Sequence, residues 1–201
     1  MYSIYVSKET NIAFTIVILR KQERSDTKMF ERLVRMNCFS KNMLVKKLAR
    51  NLLEKLYCCE INCVEIDPSV MFAHHGRGCI IVAAKIYENV VICQNVTVGS
   101  NMKYSKNNKN WENIGNPIIC ENVLIADGAK VFGPITIGEN SIIAAGAIIT
   151  RSIPANCIAY GVNEYRGKDV NYDFVFNRNM IDFRKLIEVN NNLISNFEKN
   201  R

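Results

Sequence analysis

The chain of 201 residues holds two histidines, and they are neighbours: His74 and His75, in the stretch F-A-H-H-G-R-G at 72–78. Imidazole is the side chain whose ordinary pKa lies nearest neutrality, so a histidine beside a glycine turn is a candidate general base at physiological pH. Adjacent residues in an extended segment point to opposite faces, so one imidazole can reach a groove while the other turns away. One chemistry that such a base can serve is attack by a hydroxyl on a carbonyl, for which backbone N–H groups at Gly76 and Gly78 would be candidate donors to the oxyanion. A second polar cluster, S-N-M-K-Y-S-K-N-N-K-N-W-E-N-I-G-N at 100–116, carries Lys103, Lys106, Lys109 and the only tryptophan, Trp111. A long loop of this kind is expected to be functional.

The elements that must position these groups follow a period of six. Ile119, Ile125, Val131, Ile137, Ile143 and Ile149 are branched aliphatics six apart, and four places after each come Val123, Ala129, Ile135, Ser141, Ala147 and Ile153. The beat starts earlier, through Ile66 and Val70, then Ile86, Ile92 and Val98 with Val90 and Val96. Period six describes short strands broken by turns, each sending one aliphatic side chain inward. Stacked, such strands make a solenoid of about four coils with a continuous aliphatic column, and Gly and Asn suit its corners. The expected fold is therefore mainly β. A helical segment occupies 1–62, the solenoid 63–166 with the inserted loop at 100–117, and a capping region 167–201.

Residues 28–57 read as helix, with Leu44, Val45, Leu48, Ala49, Leu52, Leu53 and Leu56 opposite Lys46, Lys47, Arg50, Glu54 and Lys55. That stripe is expected to pack on a neighbouring helix or subunit, with contact to a membrane surface the lesser alternative. Met180, Phe183, Leu186, Ile187, Leu193, Ile194 and Phe197 suggest a C-terminal helix capping the solenoid. The formal charge is +7, and residues 1–60 carry 12 Lys and Arg against 6 Asp and Glu. No nucleic-acid motif accompanies this excess, so solvated helix faces are the expectation and nucleic acid is not. The apolar run at 12–19 is too short to span a bilayer and lacks the flanks of a signal peptide. The eight cysteines fit no zinc framework and are expected as reduced, mostly buried thiols of a cytoplasmic protein, with no metal.

The stretch I-A-D-G-A-K-V-F-G-P-I-T-I-G-E-N-S-I-I-A-A-G-A-I-I-T-R-S-I-P at 125–154 resembles the hexapeptide-repeat acyltransferases. E-I-D-P-S-V at 65–70, H-H-G-R-G at 74–78 and I-C-Q-N-V-T-V-G at 92–99 resemble the serine acetyltransferase branch, most closely its short polysaccharide-modifying members. The resemblance covers about 64–166 and implies a left-handed parallel β-helix, a homotrimer and acetyl-CoA as co-substrate. Matched through the glycine, the nearer anchor, the family's base falls on His75, which is therefore the expected base; counted from I-C-Q-N-V-T it falls on His74 instead, as though one residue were missing near 79–85. Glu65 matches the orienting acid, with Asp67 in reserve, although its ten-residue spacing to His75 is about one hexad shorter than the family's. Ala126, Gly128, Ala144, Ala145 and Gly146 match the groove for the pantetheine arm, with Thr150 and Arg151 nearer the nucleotide. Arg166 replaces a basic contact in G-V-N-E-Y-R, where the family reads G-V-P-A-[KR].

The family's acceptor loop carries an Arg-His pair, and loop 100–117 has neither residue. A saccharide hydroxyl is thus the expected acceptor, with serine as the alternative, bound by Lys103, Lys106 and Trp111. Two adjacent histidines cannot supply the three zinc ligands of a carbonic anhydrase on this solenoid. A sugar nucleotidyltransferase would need a phosphate-loop domain for which there is no motif. The alternative of another class is a β-helix that acts as a non-catalytic assembly or binding module.

Overall fold

The computed structural model describes residues 26–169 and 183–200. The apolar run at 12–19 and Met180 lie outside the described residues.

Among the described residues, two helices precede the solenoid: α1 over 26–39 and α2 at Met43–Tyr57. The single helix expected across 28–57 is broken at 40–42. Asn42 accepts from the N–H groups of Leu44 (2.9 Å) and Val45 (3.4 Å) and so caps a new helix. At the other end, Cys58 turns left-handed and returns its N–H to the Glu54 carbonyl.

The solenoid begins at Glu60, three residues ahead of the expected boundary. β1 (Glu60–Ile61) opens it, followed by a first turn of β2 (Glu65–Ile66), β3 (Met71–Phe72) and β4 (Ile80–Ile81). The second turn is β5 (Lys85–Ile86), β6 (Val91–Ile92) and β7 (Thr97–Gly99). An arm of β8 (Met102–Ser105) and β9 (Asn110–Asn113) then leaves the barrel. The third is β10 (Ile118–Ile119), β11 (Leu124–Ile125) and β12 (Lys130–Phe132); the fourth is β13 (Thr136–Ile137), β14 (Ile142–Ile143) and β15 (Ile148–Ile149). β16 (Cys157–Tyr160) and an antiparallel β17 (Glu164–Gly167) end the stacking.

Three sheets result, in the orders β1-β4-β7-β12-β15, β2-β5-β10-β13 and β3-β6-β11-β14-β16-β17. They are parallel except for the final hairpin, and the fold is a left-handed β-helix. The beat is the inner wall: Ile119, Ile125, Val131, Ile137, Ile143 and Ile149 are all 0% exposed. Ser141 is the one polar member of the companion series. Its hydroxyl donates to the Pro154 carbonyl (2.9 Å) and accepts from the Cys157 N–H (3.1 Å), so this buried hydroxyl is satisfied. Corners turn on left-handed residues, six of them asparagines from Asn89 to Asn163.

The open N-terminal end of the column is closed by the helices. Phe30, Leu33, Ala49, Leu53 and Tyr57 belong to the same buried cluster as Cys59, Ile61, Cys79 and Ile81. Asn37 reaches down from α1 to donate to the Ile61 carbonyl (2.8 Å) on edge strand β1. Residues 170–201 form a separate compact unit whose helix α3 (Phe183–Lys199) is amphipathic, with Ile187, Leu193, Ile194 and Phe197 exposed.

Candidate active site

The histidines lie where the chain leaves the third sheet for the first. Met71 and Ile80 stand nine residues apart there, whereas Val91 and Thr97, and Leu124 and Lys130, stand six apart. The three extra residues form a tight turn with left-handed backbone at His74 (φ 50°), His75 (φ 59°) and Gly76 (φ 54°). The extended conformation expected at this point is absent. Left-handed backbone costs a non-glycine residue roughly 1–2 kcal/mol, so the surroundings must hold the turn. A side chain at Gly76 would press on Phe72, Cys59 and Phe30 at 3.1–3.3 Å, and one at Gly78 would collide with Asn95 Oδ1.

The two imidazoles are separated all the same. His75 is half-buried, its Nε2 3.1 Å from Thr27 Oγ1 on α1. Its ring meets Phe30 edge-on and Tyr57 at a tilt, with centroids 5.9 Å away in each case. Tyr57 is itself fixed, donating to the Asp26 carbonyl (3.4 Å) and carboxylate (3.3 Å) beneath the Arg77 guanidinium. Burial, and then the Asp26 charge, push the Tyr57 phenol upward, so it stays a donor. His74 is exposed; its carbonyl accepts from the Arg77 N–H (3.4 Å), while its imidazole makes no hydrogen bond among the described residues. The Gly78 N–H is already given to the Tyr57 carbonyl (3.4 Å), which removes it as a ready oxyanion donor.

The structure also bears on the one-residue slip. Ile80 and Lys85 are five apart, whereas Lys130 and Thr136 are six apart, so the shortening falls between β4 and β5.

Neither expected acid hydrogen-bonds to an imidazole. Glu65 lies on the outer face of the second sheet, where it pairs with Lys85 Nζ at 2.9 Å. Asp67 accepts from the Ser69 N–H (2.8 Å) and hydroxyl (2.6 Å), bonds that hold its carboxyl below the usual carboxylate range. Each acid is engaged by a partner away from the histidine turn. Glu60, which the sequence reading passed over, lies in β1 directly beside Ile80, where the chain emerges from the histidine turn. It faces outward, since Ile61 takes the core side, and its Oε1 accepts from Asn62 (2.6 Å). Lengthening the ten-residue spacing by about a hexad would have pointed there. Thr27, Asp26 and Tyr57 had no such signal.

Above the histidine turn the same corner repeats in every coil. Gly78, Asn95, Gly128 and Gly146 all have left-handed backbone. N–H groups climb the column from Asn95 to the Arg77 carbonyl (2.8 Å), from Gly128 to Gln94 (3.1 Å) and from Gly146 to Asp127 (2.8 Å). Ala126, Gly128, Ala144, Ala145 and Gly146 therefore share one edge of the barrel with the histidines. A methyl added at Gly146 would meet nothing within 4 Å, and one at Gly128 only the Gly146 nitrogen at 4.0 Å, so this edge is open to a ligand. Thr150 and Arg151 are across β15, at the next corner; Arg151 is exposed and Thr150 is bonded to Asn163. Arg166 is farther away, opposite Ile158 on the closing hairpin. A cation that was not foreseen, Lys130, spans two coils beside the column by donating to the Asn95 carbonyl (3.2 Å) and Thr97 hydroxyl (3.1 Å).

The expected loop at 100–117 is a hairpin. Tyr104 faces Trp111 across it, rings 5.6 Å apart and edge-on, both more than half exposed. Lys103 lies opposite Glu112, and Lys106 is exposed in the turn. A separate groove of about 510 Å³ between the helices and the first coil is lined by Lys46, Arg50, Asn62, Cys63 and Glu65 among others, and by neither histidine.

With its open small-residue edge and a histidine turn at its base, the solenoid is similar to the hexapeptide-repeat acyltransferases and to their serine acetyltransferase branch. Residues 116–151 match the family model for the bacterial transferase hexapeptide, six repeats. The serine acetyltransferase of Synechococcus elongatus is 35% identical over 105 residues, covering 49% of this chain and 40% of that protein. A serine acetyltransferase solved in complex with cysteine shares the fold with TM-score 0.54 and 24% identity, over 70% of this chain and 54% of that one. Another, in complex with CoA, aligns with TM-score 0.50 and 24% identity, over 67% and 53%. The chain thus spans about half or less of the length of these proteins.

Proposed function

We propose that this chain is an acetyl-CoA-dependent O-acetyltransferase acting at the histidine corner. The observation that carries the reading is the shared edge: a solvent-facing imidazole at its foot and, above it, a column of alanines and glycines where a thioester arm can lie against backbone. The similarity to serine acetyltransferases, one of them in complex with CoA, supports the same co-substrate.

His74 is proposed as the base, against the glycine-anchored match to His75, because its imidazole is unencumbered whereas His75 is held by Thr27. The His74 imidazole takes the proton of the acceptor hydroxyl as its oxygen attacks the thioester carbonyl. As the tetrahedral intermediate collapses, the imidazolium returns that proton to the departing sulfur, giving the acetyl ester and free CoA thiol. Glu60 is the proposed acid for charge stabilisation on this side of the barrel. Arg151 is the proposed phosphate contact.

Serine is the acceptor that the relatives support. A saccharide hydroxyl is the second reading, favoured by the exposed Tyr104–Trp111 pair and by the lack of Arg and His in that hairpin. A cytoplasmic homotrimer completes the proposal. Its eight cysteines are free, and among the described residues no helix is long and apolar enough to cross a membrane.

The test is CoA release from acetyl-CoA with mass spectrometry of products, across L-serine, sugars, nucleotide sugars and oligosaccharides. Transfer that disappears with His74→Ala establishes the activity, base and acceptor together. Failure to bind acetyl-CoA would leave a non-catalytic assembly module.

A further inference from the structure

Helix α2 carries two adjacent rows of apolar side chains, each with a step of four residues. The row of Val45, Ala49, Leu53 and Tyr57 closes the solenoid, its last three members fully buried. The row of Leu44, Leu48, Leu52 and Leu56 extends beyond that contact. Leu44 is 77% exposed, Leu48 56% and Leu56 50%, and Met43 at the start of the helix is 77% exposed. The apolar stripe is thus wider than the surface that the solenoid covers, and the excess is a contiguous patch of the sort that marks an interaction site.

Charge identifies the occupant. The row next to the leucines on the solvent side is Lys47, Asn51 and Lys55, and Lys41 just ahead of the helix is exposed as well. Residues 26–58 hold eight Lys and Arg against three Asp and Glu. A second copy presenting the same face would bring cation against cation. A bilayer surface with anionic phospholipid meets the leucines with acyl chains and the cations with phosphate. We infer that the outer face of α2 docks on an anionic membrane surface. Leu44, Leu48 and Leu56 enter the interface, and Lys41, Lys47 and Lys55 reach the headgroups. At 15 residues α2 lies on the bilayer and does not span it. Docking of this kind does not depend on the acetyl-transfer reading.

The experiment is co-sedimentation of the full chain with vesicles of phosphatidylcholine alone and of equal parts phosphatidylcholine and phosphatidylglycerol. Two variants run alongside, Leu44→Gln/Leu48→Gln/Leu56→Gln and Lys47→Glu/Lys55→Glu, with circular dichroism to confirm that each folds. Binding is expected on anionic vesicles only, falling with salt and roughly tenfold weaker in either variant. Equal binding to neutral vesicles, no binding to anionic ones, or binding that both folded variants retain would overturn the inference. A wild type that ignores vesicles but whose oligomeric mass drops on replacing the leucines would assign the face to a second copy instead.

Discussion

Thr27 Oγ1 and His75 Nε2 stand 3.1 Å apart across 48 residues of chain, joining the first helix to the strained turn of the solenoid. The contact gives α1 a role beyond closing the core. It helps hold three consecutive left-handed residues in a conformation that two of them disfavour. Thr27→Val keeps the shape and removes the hydroxyl. We expect a stability loss of about 1 kcal/mol by chemical denaturation. Loosening of the turn should lower the acetylation rate severalfold without changing the KM for acetyl-CoA. An unchanged rate would show that the turn holds without α1.

The histidines should differ in kind. Replacing exposed His74 by alanine removes no packing, so its melting temperature should stay within a degree or two while kcat falls by roughly 10²–10⁴. Replacing His75 removes ring contacts to Phe30 and Tyr57 and should lower stability by about 1–2 kcal/mol, with a smaller loss of rate. The reverse pattern, a dead but stable His75→Ala enzyme, would return the base to the residue chosen by the glycine match.

How much of this could be read in the residues depends on what each feature needed. The barrel was legible because every hexad repeats one inward aliphatic, and Ile119 to Ile149 all occupy the positions that the beat assigns. The corner column was legible for the same reason, since Gly128 and Gly146 recur at one phase of the repeat. The histidine turn was not, because nothing in H-H announces left-handed backbone; that conformation is imposed by Phe72, Cys59 and Phe30 packing around Gly76. Glu60 was hidden because its strand is two residues long and follows directly on the end of a helix. The break between α1 and α2 was masked by an apolar rhythm that continues through Ser40–Asn42. The arm at 102–113 is paired by backbone bonds that its lysines and asparagines do not advertise.

Two glycines separate backbone angle from crowding. Gly146 has φ +68° and open space where a side chain would go, so Gly146→Ala should cost only about 1 kcal/mol, from the left-handed backbone alone. Gly138 lacks a left-handed φ, yet a methyl there would run into the Ala155 nitrogen and the Pro154 carbonyl carbon. Gly138→Ala should therefore destabilise by roughly 3 kcal/mol or more, because backbone cannot rotate away as a side chain can. Guanidinium unfolding of both variants measures the difference. A bulkier change, Gly146→Leu, fills the proposed groove and should raise the KM for acetyl-CoA more than it lowers stability.

The thiols give the chain an alkaline limit. Burial pushes Cys59 and Cys63 up to about 12, and Cys38 and Cys79 up to about 11, from an ordinary 9.0. In the unfolded chain these groups lose their protons near pH 9, while the folded chain keeps them, so the folded state binds more protons across that interval. Stability from this source is complete below pH 9 and is lost progressively as pH rises towards 11–12. Denaturation midpoints should hold between pH 7 and 8.5 and fall steadily above 9, with a smaller fall in a Cys59→Ala/Cys63→Ala variant that still folds. Exposed Cys58 should react with a thiol reagent first at pH 8, and buried Cys59 and Cys79 only at the rate of unfolding. Rapid labelling of all eight cysteines in the folded chain would contradict the packing of the first coil against α1 and α2.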